Sequence, residues 1–374
     1  MIYPNIHIID KNSNVYFSDR LRKPTRTVHY DFIQNMISQQ KDTGQAVVIL
    51  SQIVRDLKGI IKYIRKKKYT KIHFVIDDVF RISMDSMKWR NQEDYEELYI
   101  INRLIQQSSI KNYKVYHCEN LGNFLPVNEM CFDKTHYCDI FVSKYCHDYN
   151  YDRNTLHSNF DKKISCLNNR FDYHRFYIAA LLIKNPEVHI TFNDYMPSQQ
   201  IFSKRHLPFE KFSQNIQEIV FKNGQTMDKK YLTSKLLDPN MQHSDQVLRI
   251  IENSFANIVT ETTYYNPYQN ISEKTLKPMF VYRPFIMLGT RGNLKLLKEL
   301  GFLTFDKWWD ESYDDIGDNN QRLEAVYETT QYILSKSHKE LKIIYNQMVP
   351  ILEHNKRNLA RLPGHLLKNL YSNF

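Results

Sequence analysis

Glycine is scarce in this chain, with nine residues in 374, and proline adds only twelve. So few permissive backbone positions exclude a glycine-rich loop that cradles phosphate with successive N–H groups, and they argue against long disordered linkers. Any phosphate held here must be held by side chains and helix ends. Long apolar runs are missing too. No stretch approaches the roughly 18 apolar residues a membrane helix needs, and the opening "MIYPNIHIIDKNSN" lacks a basic segment followed by an apolar core. The expectation is a cytoplasmic protein with no transmembrane segment. The five cysteines, Cys118, Cys131, Cys138, Cys146 and Cys166, are an odd number in a long chain, which fits a reducing compartment better than a disulfide framework. Three of them share "CFDKTHYCDIFVSKYCH" with His136 and His147, but their gaps exceed the roughly two to four residues of common structural zinc sites. Reduced, partly buried thiols are the simpler reading.

What is present is a folded, basic protein. Hydrophobic residues make up 42% and charged residues 25%, and the length favours two domains. Lys and Arg number 51 against 41 Asp and Glu, a formal +10 that suits anionic partners such as nucleotides, nucleic acid or lipid headgroups. A nucleic-acid-binding protein is the rival class, since 26 Tyr and 21 Phe could supply stacking platforms. The basic residues are instead dispersed and mixed with acids along the helices, so no nucleic-acid partner is expected.

Residues 45–119 alternate between two periodicities. "QAVVIL", "KIHFVIDD" and "YKVYHCEN" have the character of buried strands, while "QIVRDLKGIIKYIRKK" and "NQEDYEELYIINRLIQQ" are amphipathic helices. The run Lys66, Lys67 and Lys68 is most simply a solvated helix end. The pattern breaks between about 120 and 160, then resumes with "KKISCLNNR", "DYHRFYIAALLIK", "EVHITFND", a helix near 245–254, "ANIVTET", "SEKTLKPMF", "PFIMLG", "NLKLLKEL" and a short strand "FLTF". Helices follow from about 319. The expected fold is α/β, two Rossmann-like domains facing each other with C-terminal helices: one domain over 1–150, a second over 151–335, and helices over 336–374 packing across them. The last stretch is basic and amphipathic, so peripheral membrane contact is an alternative use for it. Ligands in such sheets bind beyond the carboxyl ends of the strands.

Two helix entrances carry the candidate chemistry. Arg170 closes one strand, and Asp172, His174 and Arg175 open the next helix, where free backbone N–H groups welcome anions; Arg170, His174 and Arg175 suit a diphosphate. The plainer reading makes Asp172 an N-cap and the arginines surface charges. In "NISEKTLKPMFVYRPFIMLG", Ser272 can cap a second helix, and Lys274 and Lys277 project from neighbouring turns. Glu273 can accept two hydroxyl hydrogen bonds, as from a ribose diol, while Lys274 supplies charge for phosphate oxygens. Here the plainer reading is a cap followed by an exposed ion pair.

This segment resembles the donor-binding stretch of α-1,3-fucosyltransferase-type enzymes, matching at Ser272, Glu273, Lys274 and the strand from Pro284 to Gly289. "RFDYHRFYIAALL" is similar to that family's arginine-bearing helix, with Arg175 at the diphosphate-binding position, and "SFANIVTET" falls where Glu261 matches a residue near the sugar or nucleotide. The combination of "ISCLNNRFDYHR", "SFANIVTETTYYN", "SEKTLKPM" and "GFLTFDKWWDESYDD" also resembles uncharacterised glycosyltransferase-like proteins of large DNA viruses, phages and bacteria, over roughly residues 160–335. The resemblance implies a GT-B glycosyltransferase, with 1–150 as the acceptor-side domain and 151–335 as the donor domain, a nucleotide-sugar donor (GDP-sugar favoured, UDP-sugar the alternative), a glycan or glycoprotein acceptor and no required metal. Two departures stand out: Thr262 follows Glu261 where the family has Asn, and "EVHITFND" replaces a glycine pair.

Inversion at an anomeric carbon needs a base for the acceptor hydroxyl. In a GT-B enzyme it would come from the N-terminal domain, where Asp77 and Asp78 after "KIHFVI" and Glu119 after "YKVYHC" are the candidates. The acidic "DKWWDESYDDIGD" reads as structural, packed down by Trp308 and Trp309, with an acceptor contact at its rim as the alternative. Asn270-Ile271-Ser272 is a glycosylation sequon inside the expected donor site, which fits the cytoplasm, host cytoplasm if the source is viral. A sugar-binding scaffold without catalysis is the third reading.

Overall fold

The computed structural model describes residues 5–10, 13–18, 44–50, 58–76, 96–117, 136–137, 156–168, 172–192, 208–230, 243–265, 269 and 271–366. The chain divides into two compact units, residues 1–149 with 362–374, and residues 150–361. Both are α/β, as the alternation of periodicities predicts.

The first unit is built on β1 (Asn5–Asp10), β2 (Ser13–Ser18), β3 (Gln45–Leu50), β4 (Lys71–Ile76), β5 (Tyr113–His117) and β6 (His136–Tyr137). They lie in the order β2-β1-β3-β4-β5-β6, with β1 antiparallel to both neighbours and the rest parallel. Two helices, α1 (Lys58–Lys67) and α2 (Glu96–Ser108), pack on each other. On α1 the isoleucines 60, 61 and 64 are buried while Arg65, Lys66 and Lys67 are exposed, so the basic run sits in solvent at the negative end of the helix. The sequence reading missed the β1–β2 hairpin, because Lys11 and Asn12 between the strands carry no glycine or proline signal.

The second unit has an all-parallel sheet of β7 (Lys162–Asn168), β8 (Val188–Phe192), β9 (Ser254–Thr260) and β10 (Phe285–Leu288), ordered β10-β9-β7-β8. Every residue of β9 and β10 is buried, as a parallel sheet covered on both faces requires. Its helices are α3 (Tyr173–Leu182), α4 (Gln214–Lys230), α5 (His243–Glu252), α6 (Glu273–Phe280), α7 (Asn293–Glu299), α8 (Asn319–Ser335) and α9 (His338–Leu359). A short α10 (Leu362–Leu366) follows and falls with the first unit. From β7 the chain steps through α3 outward to β8; from β9 it steps through α6 the other way to β10. Right-handed crossovers in opposite directions place α3 and α6 on opposite faces of the sheet. The packing agrees: α3 contacts α4 and α8, while α6 contacts α5 and α9.

"FLTF" is not a strand; residues 302–305 belong to no sheet. Side chains satisfy the backbone groups that a neighbouring strand would take. Asn355 of α9 accepts from Leu303 N at 2.8 Å and donates to Leu303 O at 2.8 Å, and Glu311 accepts from Phe305 N at 2.8 Å. The acidic loop does much the same for helix ends: Asp314 accepts from Leu294 N and Lys295 N at 3.1 and 3.2 Å, and Asp318 caps α8. Arg283, 1% exposed, pins the chain just before β10 by donating to the backbone oxygens of Glu252, His157 and Asn159.

Candidate functional site

The order of the second sheet reverses between β7 and β9, so their carboxyl ends flank the crevice where open α/β sheets hold ligands. The two ends are tied directly: Thr260 Oγ1, last on β9, donates to Asn168 Oδ1, last on β7, at 2.8 Å. The helix following each strand starts beside this point. Asp172 N-caps α3, its carboxylate accepting from Tyr173 N at 2.9 Å, and Ser272 N-caps α6, its hydroxyl accepting from Lys274 N at 3.2 Å. Both caps are extended residues whose short side chains satisfy one helix N–H, which is why Asp and Ser stand there.

Two cations from these separate helices meet. Arg175 Nη2 donates to Thr262 Oγ1 at 3.3 Å and to Thr260 O at 3.2 Å, while Lys274 Nζ donates to the same Thr262 hydroxyl at 3.0 Å. Arg175 is 3% exposed, so it is no surface charge. Lys274 also pairs with Glu273 Oε1 at 3.1 Å, each side chain being 23% exposed. Burial alone would raise the Glu273 carboxyl, but the Lys274 and Lys277 charges outweigh it and hold it below the usual range. Lys277 is pushed down, by burial first, with Lys274 adding and Glu273 and Glu261 opposing.

Glu261 is wholly buried directly after β9, and its four donors belong to the protein. Ser272 N (3.0 Å) and Thr275 Oγ1 (2.5 Å) reach Oε1, while Ser272 Oγ (2.6 Å) and Thr262 N (3.3 Å) reach Oε2. This carboxylate ties the end of β9 to the first turn of α6, fixing where Lys274 points. His174, also fully buried, ties α3 to the same segment through Nε2 and Glu261 O at 2.9 Å. Its Nδ1 lies 3.5 Å from Asp172 Oδ1, and burial pushes its pKa down against the raising effect of Asp172. The imidazole stacks on Tyr264 at 4.6 Å and 11°, and Arg322 lies over the Tyr264 ring at 4.6 Å. Arg322 in turn donates to Gly289 O at 3.2 Å and Tyr264 O at 3.0 Å, which fixes the loop after β9 against the end of β10. Gly289 needs its missing side chain: a Cβ there would stand 2.5 Å from Asn293 Nδ2 and 3.4 Å from the Glu261 Cβ.

Of the residues singled out in the sequence, His174, Arg175, Glu261, Ser272, Glu273, Lys274 and Lys277 gather at this edge of one sheet. Arg170, Asp77, Asp78 and Glu119 lie outside the described residues. The strands leading to the last three are neighbours in register, Ile76 of β4 pairing with His117 of β5. Sequence reasoning missed Thr262 as the meeting point, Thr275 as a Glu261 donor, and the Arg322–Tyr264–His174 stack. "TETT", a polar run straight after a fully buried strand, is the signal that could have exposed the first. Of the cysteines only Cys166 is described; it is buried, its thiol pushed up to about 12 by burial, with Asn168 and Arg175 acting the other way. Among the described residues no group of three or more His, Cys, Asp or Glu side chains is placed to hold a metal ion, and no helix is long and apolar enough to cross a membrane.

No protein-family model matches the chain, and no curated protein sequence does. Among solved structures, similarity is found to T4 phage BGT in complex with UDP and Mn2+, at 13% identity and a TM-score of 0.34, covering 80% of this chain and 74% of that one. A UDP-forming α,α-trehalose-phosphate synthase from Burkholderia xenovorans matches at 12% identity and a TM-score of 0.39, covering 83% and 70%. At TM-scores this low the functional reading rests on the geometry of the site.

Proposed function

We propose that this protein is a GT-B glycosyltransferase whose second unit binds a nucleoside-diphosphate sugar and whose first unit supplies the acceptor side. The observation that carries the reading is the meeting of Arg175 and Lys274 at the Thr262 hydroxyl, beside two helix N-termini at the reversal point of a parallel sheet. Two cations and two helix ends concentrate positive potential where a diphosphate would lie. Glu273, held ionised by Lys274 and Lys277, is suited to accept both hydroxyls of a ribose. Glu261 and His174 serve as positioning residues, since both Glu261 oxygens and His174 Nε2 are taken up in fixing the two helix mouths.

In the reaction proposed, a carboxylate among Asp77, Asp78 and Glu119 takes the proton of an acceptor hydroxyl on a glycan or glycoprotein. The freed oxygen attacks the anomeric carbon, and the bond from that carbon to the β-phosphate oxygen breaks with its electron pair leaving on the diphosphate. Arg175, Lys274 and Arg170 stabilise the charge that appears there, so the step inverts the anomeric centre without a metal. The donor base is read as guanine, with uracil as the alternative. The test is a thermal-shift screen with GDP, UDP, dTDP and CMP, followed by turnover of the matching sugar nucleotide in EDTA. Stabilisation by a nucleoside diphosphate and EDTA-resistant turnover are expected; no shift with any nucleotide would overturn the assignment.

A further inference from the structure

A recess lies in the same unit, with none of the residues of the proposed donor site in its wall. It is an open recess of about 520 Å³ between the loop after residue 305 and helix α8, within the size range of small-molecule sites. Two aromatic rings define it. Trp308 is half-buried and held in place by its Nε1, which donates to Gln347 Oε1 at 3.1 Å; Tyr332 is 45% exposed, unusual for so large a ring. Around them stand the carboxylates of Asp306, Asp310 and Glu328, matched by Lys307 in the wall, Lys336 over the Tyr332 ring and Lys298, which pairs with Asp306 at 3.1 Å. Trp309 also lines the recess, is 5% exposed, and its Nε1 has no acceptor among the described residues.

We propose that this recess binds a neutral saccharide. A fixed aromatic ring offers an electron-rich face to the C–H groups on the apolar side of a pyranose, and carboxylates accept hydrogen bonds from its hydroxyls. The near balance of carboxylates and lysines favours a neutral ligand over phosphate and other anions. A cationic ligand is the other chemistry such walls could serve, but the chain fills that role itself: Lys307 Nζ lies over the Trp308 ring at 5.4 Å and Lys336 Nζ over the Tyr332 ring at 4.6 Å. With the Trp308 ring already held by Gln347, little of its side-chain entropy is lost on binding. The inference goes beyond the transferase reading and stands even if no sugar is transferred.

Two of the three tryptophans in the chain line the recess, so intrinsic fluorescence reports on it. The full chain is titrated with maltose, cellobiose, lactose and the methyl glycosides of glucose, galactose and mannose, and separately with tetramethylammonium and inorganic phosphate. At least one neutral sugar should give a saturable change, weakened about tenfold in Trp308→Ala and in Tyr332→Ala and retained in Trp308→Phe. Glu328→Gln, on an exposed position, should weaken binding without disturbing the fold. Nucleotide-induced thermal shifts should be the same in all four variants, which separates this site from the one at Arg175 and Lys274. No saturable response to any of the sugars, saturation by tetramethylammonium or phosphate instead, or unchanged affinity in Trp308→Ala and Glu328→Gln would overturn the proposal.

Discussion

The two sheets of this protein use the same strand–helix units but order them differently. In the first unit the parallel strands run β3-β4-β5-β6 in chain order, so successive crossovers move one way and α1 packs against α2. In the second, the order turns back between β7 and β9, and the helices that follow those strands open side by side on opposite faces. The polar residues track this difference. Around β4 of the first sheet the buried polar group is His73, satisfied by Tyr116 Oη and Gln45 Oε1, each at 3.1 Å, and serving the core. At the reversal in the second sheet, Glu261, His174, Ser272 and Thr275 spend their hydrogen bonds aiming two cations at one point. Reversal of strand order, more than the α/β pattern itself, is what brings two helix mouths and two cations to one point.

The comparison breaks most sharply if the two cations do not act together. Arg175→Ala and Lys274→Ala are each expected to lower donor turnover by about 10²–10³, the scale of losing one preorganised charge-stabilising donor. The counterpart in the first unit, Lys66→Ala at the exposed end of α1, should leave it unchanged. Steady-state kinetics on purified variants checks both, and equal losses in all three would dissolve the distinction between the sheets.

Next in size is the brace. Glu261→Ala leaves Ser272 N and the Thr275 hydroxyl without their acceptor inside the protein, at a cost of about 2–4 kcal/mol in urea unfolding. Glu261→Gln, which keeps the shape, should lose less stability while still weakening nucleotide binding through a misaimed Lys274. A Glu261→Ala variant as stable as the parent would show that the carboxylate fixes nothing.

The units should also differ in their response to pH. Burial, with Lys71 and Lys114 adding, pushes His73 down to about 3 from the usual 6.5, so the unfolded chain binds the extra proton. Its contribution is complete above pH 6.5 and is lost as pH falls from there toward about 3. Glu311 in the second unit goes the other way: burial raises it to about 7 from 4.5, against the hydrogen bonds from Thr304 and Phe305 and the Lys298 charge. There the folded state holds the proton more tightly, so stability present below pH 4.5 is lost as pH rises through about 7. Urea melts across this range should show His73→Gln flattening the acid limb and Glu311→Gln the limb between the two Glu311 values; unchanged profiles would contradict the assignment. The smallest effect is expected from Asp314→Ala, which uncaps α7 at a cost of about 1–2 kcal/mol by the same measurement.

Much of this arrangement was legible in the sequence because it is local. Buried strands such as "ANIVTET" and "KIHFVI", the Asp172 and Ser272 caps, and the charges within a turn of each cap are written in consecutive residues. What was not legible depends on partners far along the chain. "FLTF" has the composition of a strand, but Asn355, more than fifty residues on, takes the hydrogen bonds of Leu303 and Glu311 accepts from Phe305 N. Arg322 looks like one more charge on an amphipathic helix until it is found buried over Tyr264. Thr262 carries no signal of its own, since its role arises where two helices separated by about a hundred residues approach it.

Calorimetric titration of GDP and UDP, each beside its parent nucleoside, into the intact protein and into Lys274→Ala tests the central claim most directly. A nucleoside diphosphate should bind the parent protein and lose about tenfold or more in affinity in the variant, while the contribution of the nucleoside alone stays the same. Diphosphate affinity that is undetectable in the parent protein, or equal in the two proteins, would contradict a diphosphate site at Arg175 and Lys274.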